Sequence, residues 1–104
     1  MSDTRITVIA YVHAKEEMKK EVEKELLKLV APTRSEPGCI VYDLYRSAER
    51  KTLFMFYECW RSKKDLDEHL QMPYVRHFMK KAGEMLTEPV SVSLWERLSP
   101  SIHK

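Results

Sequence analysis

ECWRSKKDLDEHLQMPY, residues 58–74, is the stretch on which the reading of the fold turns. Its first three residues close an apolar strand. Ser62, with Asp65 three positions on, is a capping-box pattern and places a short helix over about residues 63–71. Pro73 then stands at the first position of another helix, where its missing backbone donor costs nothing. Glu58, Trp60, His69 and Tyr74 are thereby brought close in sequence at a junction of elements, where small-molecule sites tend to sit.

Upstream, LFMFYECW (53–60) and CIVYDLY (39–45) read as strands joined by the polar loop SAERKT, and so short a connection makes them an antiparallel pair. Glu36-Pro37-Gly38 is a turn signal that releases the chain into the earlier strand. Before it, Met18, Val22, Leu26, Leu29 and Val30 fall at helical spacing, with charge around the rest of the circumference. Pro32 is expected to end or kink that helix at Ala31. ITVIAYVH (6–13) is a further strand, β-branched and aromatic. Downstream, Val75, Phe78, Met79, Ala82 and Leu86 form one face of the helix after Pro73, and VSVSLWE (90–96) alternates as the last strand. The order β, α, β, β, α, β is the α+β, ferredoxin-like arrangement: a four-stranded antiparallel sheet with its helices on one face.

That arrangement leaves the second sheet face bare. The middle strands are nevertheless apolar on both sides: Leu53, Met55 and Tyr57 point one way, Phe54 and Phe56 the other. A monomer would expose a large apolar patch, so the expectation is a homodimer packed through the open sheet face.

At 104 residues the chain makes one domain, residues 1–104, with 43% apolar residues to fill its core. Eighteen basic residues against sixteen acidic ones, interleaved along helix faces, give no field suited to nucleic acid. The N-terminus lacks the pattern of a signal peptide and no apolar run nears the roughly 20 residues of a membrane span. A cytoplasmic location without membrane contact is therefore expected, with Cys39 and Cys59 reduced and half-buried. Neither cysteine has a second Cys or His at ligand spacing, so no metal site is expected from them.

EPGCIVYDLYRS (36–47), the aromatic strand ending in ECW, the capped SKKDLDEHLQMPY and the last strand resemble the antibiotic biosynthesis monooxygenase family, and within it the small quinol monooxygenases. The resemblance runs from about residue 5 to 97. It implies a dimeric α+β barrel with a pocket between helices and sheet in each protomer. It also implies oxygenation of electron-rich phenols or quinols by O2 with neither metal nor flavin. Relatives include haem-degrading enzymes and an isomerase of a phosphorylated sugar, so the family does not by itself fix the reaction.

His69 lies at the edge of the stripe that Leu66 and Leu70 define on the short helix, and is the candidate base for a phenolic hydroxyl. It reads equally as a boundary histidine bonded to the backbone; HLxxPY in the family favours the base. Asp65, four residues before it, is either the orienting partner of His69 or, preferably, only the capping-box partner of Ser62. Glu58 shares a strand face with Phe54, Phe56 and Trp60. It is a second catalytic candidate if buried with a raised pKa, or else a salt bridge across the dimer. Trp60, Tyr74, Phe78, Tyr45 and Tyr11 are candidates to line or flank a pocket for a flat aromatic substrate. His77 should be exposed, His13 faces either pocket or solvent, His103 belongs to the tail, and the methionines fill the core.

With two glycines, the chain has no dinucleotide loop, P-loop or HExxH helix. Nor has it asparagine for the Asn-Trp-His set of the haem-degrading relatives, and Met79 stands about where they place the haem-ligating histidine. Two alternatives to the oxygenase remain. One is an isomerase of a small phosphorylated carbonyl compound, for which Arg46, Arg61 and Arg76 are the loose phosphate candidates. The other is a noncatalytic dimeric module that binds an aromatic or hydrophobic ligand in a stress response.

Overall fold

The computed structural model describes residues 4–100. Strand β1, Ile6–His13, leads through a single turn of 3-10 helix, Glu16–Met18, into helix α1, Lys19–Arg34. Strands β2, Cys39–Arg46, and β3, Leu53–Trp60, form the hairpin. Helices α2, Lys63–Leu70, and α3, Pro73–Met85, follow, and strand β4, Ser91–Trp95, ends the described fold. The sheet order is β2-β3-β1-β4 with every neighbouring pair antiparallel, the ferredoxin-like topology expected of this element order.

All three helices lie over one sheet face. Burial along β3 alternates residue by residue, so Phe54, Phe56, Glu58 and Trp60 point into the core while Leu53, Met55, Tyr57 and Cys59 point to the other face. Across the sheet Val8, Ala10, Val12 and Tyr42 join that core, and Val22, Leu26 and Leu29 of α1 cover it. A bulge between Cys39 and Val41 turns Ile40 outward to 49% exposure.

Several expectations change. Helix α1 does not stop at Ala31 but carries Pro32 inside it and runs to Arg34. One proline near a C-terminus removes a single donor, and continuing the helix seats Thr33 in the core at 0% exposure. Glu25, read as part of the charged circumference, is buried at 6% exposure between Lys28 of its own helix, at 3.1 Å, and Lys81 of α3, at 3.3 Å. The Lys28 ammonium holds that carboxyl below its ordinary range, and the Lys81 contact ties α1 to α3. Leu70 and Met79, expected in the inward stripes of their helices, are 45% and 52% exposed, so Met79 is not core filler. Both line the cavity between the helices and the sheet.

The second sheet face carries half-buried Ile9, Val41, Met55 and Tyr57 and exposed Tyr11, Tyr45 and Trp95. His13 lies within 3.6 Å of Glu88 and is accounted for by that contact, while His77 is exposed. His103 lies outside the described residues. Both cysteines carry free thiols. No helix among the described residues is long and apolar enough to cross a membrane.

Candidate active site

Helix α2 is held at both ends. At its start Ser62 accepts a hydrogen bond from the Asp65 backbone N–H at 3.2 Å and donates to the Asp65 carboxylate at 2.8 Å. Arg61 donates two bonds to the same carboxylate, both at 2.9 Å, which keeps Asp65 below its ordinary pKa. Ser62 is thus the helix cap and Asp65 its capping-box partner, which does not orient His69. The Arg61 N–H also donates to the Gly38 carbonyl at 2.8 Å, which docks α2 against the Glu36–Gly38 turn.

Gly38 is glycine because of that docking. A Cβ there would stand 2.3 Å from Cγ of Asp65, inside any allowed contact. Gly38→Ala should therefore push α2 off the turn, at an overpacking cost of about 1–3 kcal/mol. A thermal melt should show a fall of roughly 5–20 °C for a domain of this size. An unchanged midpoint would mean that the helix end yields freely.

The same docking assembles the site. His69, 3% exposed, places Nδ1 2.9 Å from Oε2 of Glu36, across the junction between α2 and the turn. Tyr74, on the first turn of α3, donates its hydroxyl to that same Glu36 oxygen in a short hydrogen bond. Burial, and then the Glu36 charge, push the Tyr74 phenol well above its ordinary range, so it keeps its proton and acts as donor. With Glu36 as acceptor, Nδ1 of His69 carries the ring proton, and Nε2 is the nitrogen left for a bound molecule.

Behind the imidazole lies Trp60, fully buried, with ring centroids 4.6 Å apart; Tyr42 meets it edge-on at 5.6 Å. The Trp60 indole N–H donates to Oε1 of Glu58 at 2.8 Å. Glu58 is 5% exposed, and burial pushes its carboxyl up to about 7, against the opposing pull of the Trp60 N–H and with a further push from the Glu36 charge. Because it points to the helix face of the sheet, Glu58 has no access to the open sheet face. The expected salt bridge across that face is therefore overturned.

The raised carboxyl makes stability depend on pH with a definite sign. Folded Glu58 binds its proton up to about pH 7, whereas the unfolded group releases it near 4.5. Between those values the folded state holds the extra proton, so stability falls as pH rises through this window and levels off above it. The fall should be on the order of 3 kcal/mol. Urea midpoints measured from pH 4.5 to 8 should show it in the wild type and lose most of it in Glu58→Gln. A wild-type curve that rises with pH would refute the burial argument.

His69 and Glu58 both line a cavity of about 80 Å³ between the helices and the sheet. Tyr42 is the third polar group on its wall; the rest is apolar, including Phe56, Leu66, Val75 and Phe78. Phe78 is a wall residue as expected. Trp60 and Tyr74 stand behind the wall, bonded to Glu58 and Glu36. Tyr11 and Tyr45 do not belong to this cavity: they lie on the opposite sheet face, 40% and 51% exposed, over a separate depression with Leu53 and Met55. The cause is strand parity, since Tyr11 pairs with Met55 and Tyr45 does the same from the other side, placing all three on one face.

Two members of the site were not singled out from the sequence. Glu36 was read only as part of a turn, although an acid followed by Pro-Gly, in a motif shared with the family, was the available signal. Tyr42 carried no signal that separates it from a core tyrosine. Cys39, half-buried beside Glu36, is pushed up to about 11 by burial, so it remains a thiol at neutral pH and is no nucleophile. Among the described residues no group of three or more His, Cys, Asp or Glu is placed to hold a metal ion.

The family model described as antibiotic biosynthesis monooxygenase matches residues 5–81. The chain is 37% identical over 89 residues to the Mycobacterium tuberculosis protein named "Putative monooxygenase Rv0793", covering 86% of this chain and 87% of that one. It is 33% identical over 95 residues to an uncharacterized protein of Synechocystis, and there it spans 91% of its own length but only 65% of the relative's. The solved structure of the Mycobacterium tuberculosis protein is similar with a TM-score of 0.88 at 33% identity, over 94% of this chain and 99% of that one. A crystal structure from Pseudomonas aeruginosa gives 0.88 at 32% identity, over 92% and 96%.

Proposed function

The chain belongs to the antibiotic biosynthesis monooxygenase family, and on that premise we propose that it is a monooxygenase that uses O2 on a small hydroquinone or polyphenol without a bound cofactor. The observation that carries this reading is the His69–Glu36 pair, 2.9 Å apart, set in the wall of an otherwise apolar cavity. Nε2 of His69 takes the proton of a ring hydroxyl, and the Glu36 carboxylate stabilises the imidazolium that results. The phenolate formed is a far better one-electron donor to O2 than the phenol. One oxygen atom then enters the ring and the other leaves as water, so a hydroquinone plus O2 gives a hydroxyquinone plus H2O, all electrons coming from the substrate. Glu58, poised near neutrality, exchanges the second hydroxyl proton. The apolar wall excludes water from the radical pair.

The isomerase alternative needs cations for a phosphate, and no Lys or Arg lines the cavity. Arg61 is committed to Asp65 and Arg46 to Glu23, at 2.9 and 2.7 Å, and Arg76 is exposed on α3. The working unit we propose is a homodimer joined through the open sheet face, where Tyr11, Tyr45 and Trp95 would be covered.

The test is oxygen uptake with a panel of hydroquinones under 18-O2, with mass spectrometry of the product. One labelled atom per product molecule is expected. Binding without oxygen uptake would leave the noncatalytic ligand module, and a monomer in sedimentation at micromolar concentration would remove the dimer.

A further inference from the structure

The cavity has a rim that the acid–base groups do not use. Leu70 at the end of α2, Met79 on α3 and Val92 on β4 line its mouth and are 45%, 52% and 49% exposed. They come from three different elements and converge on one opening, so their exposure is not scattered. Leu94 lies two residues beyond Val92 on the same side of β4 and is 44% exposed, which extends the apolar strip away from the mouth. Large apolar side chains exposed together mark a contact surface.

Two further observations say what the contact is. The cavity, about 80 Å³, is roughly half of an engineered cavity of about 150 Å³ that takes benzene, so it holds no more than one ring and anything attached to the ring must leave through the mouth. No Lys or Arg lines the cavity or the rim formed by Leu70, Met79 and Val92, so an anionic substituent would find no partner there. What leaves the cavity over Leu70, Met79 and Val92 is apolar.

We propose that the substrate is a single-ring hydroquinone bearing an alkyl chain, with the ring held at His69 and Glu58 and the chain laid from the mouth along Val92 toward Leu94. This inference rests on the monooxygenase reading for the chemistry at the ring. It adds the substituent, which that chemistry neither requires nor forbids. Leu70, Met79 and Val92 are then the residues that set specificity.

The test is KM by oxygen uptake for hydroquinone and its methyl, propyl, pentyl and heptyl derivatives, on wild type and on the Leu70→Ser/Met79→Ser double variant. In the wild type KM should fall about two- to fourfold for each methylene added, the size expected of burying a CH2, until the chain passes Leu94. In the double variant the ratio between each derivative and that variant's own unsubstituted substrate should flatten to less than 1.5-fold per methylene. If hydroquinone is oxidised but KM does not depend on chain length, the inference falls while the monooxygenase stands. If no member of the series consumes oxygen, the monooxygenase reading falls and takes the inference with it. If the double variant shifts the protein from dimer to monomer in sedimentation, the rim contacts a second copy and the inference is overturned.

Discussion

Replacing His69 with glutamine should lower kcat for hydroquinone oxidation by about 10²–10⁴, the usual contribution of a positioned general base. Glutamine is preferred to alanine because the ring is buried against Trp60 and an emptied site would also cost stability. His69→Ala should show the same loss of kcat together with a lower unfolding midpoint. Glu36→Gln supplies the second arm. It keeps an acceptor for Nδ1 and for Tyr74 but removes the charge that stabilises imidazolium, so kcat should fall, by less than in His69→Gln. A structural role alone would lower the melting temperature and leave kcat in place. Full activity in His69→Gln would show that the proton is taken elsewhere, with Glu58 the group left in the cavity.

Trp60→Ala should be the most damaging change to stability, costing about 3–5 kcal/mol. The side chain is fully buried, packs on the imidazole and satisfies Glu58. Truncation empties the space behind the site and leaves a buried carboxyl without its donor. Against the roughly 5–15 kcal/mol of a whole domain, that is a large share. Urea unfolding should show it as a lower midpoint with an unchanged slope. Trp60→Phe separates packing from hydrogen bonding: it keeps most of the volume but removes the N–H that pulls the Glu58 pKa down. Its pH window of falling stability should extend above that of the wild type. A loss below about 1 kcal/mol in Trp60→Ala would mean the site collapses around the gap, against the close packing of the core.

Strand β1, strand β3 and the start of α3 were legible in the sequence because each has a local cause: β-branched residues bounded by polar ones, aromatic alternation, and a proline at a first helical position. Ser62 could be read as a cap for the same reason, since its partner is three residues away. Pro32 does not end the helix because a local rule met a tertiary competitor: Thr33, fully buried, lies beyond it in the last helical turn. Tyr11 and Tyr45 went to the wrong face because aromatic character says nothing about which side of a sheet a residue takes, and that depends on parity against a partner strand.

His69 illustrates the same division within the site. Its place at the edge of an apolar stripe follows from helical periodicity, and a buried imidazole there could be expected. Its partner could not, because Glu36 lies 33 residues earlier and reaches it only after α2 docks on the turn through Gly38 and Arg61. The segment from Glu58 to Tyr74 by itself determined the order of elements, the cap, the helix start and hence the ferredoxin-like frame. The tertiary structure alone decided that Glu36 and not Asp65 holds the imidazole, and that Glu58 is buried enough to keep its proton to about pH 7. The reason is that capping and periodicity act over a few residues of chain, while burial and charge pairing act through space among groups that only the packed fold brings together.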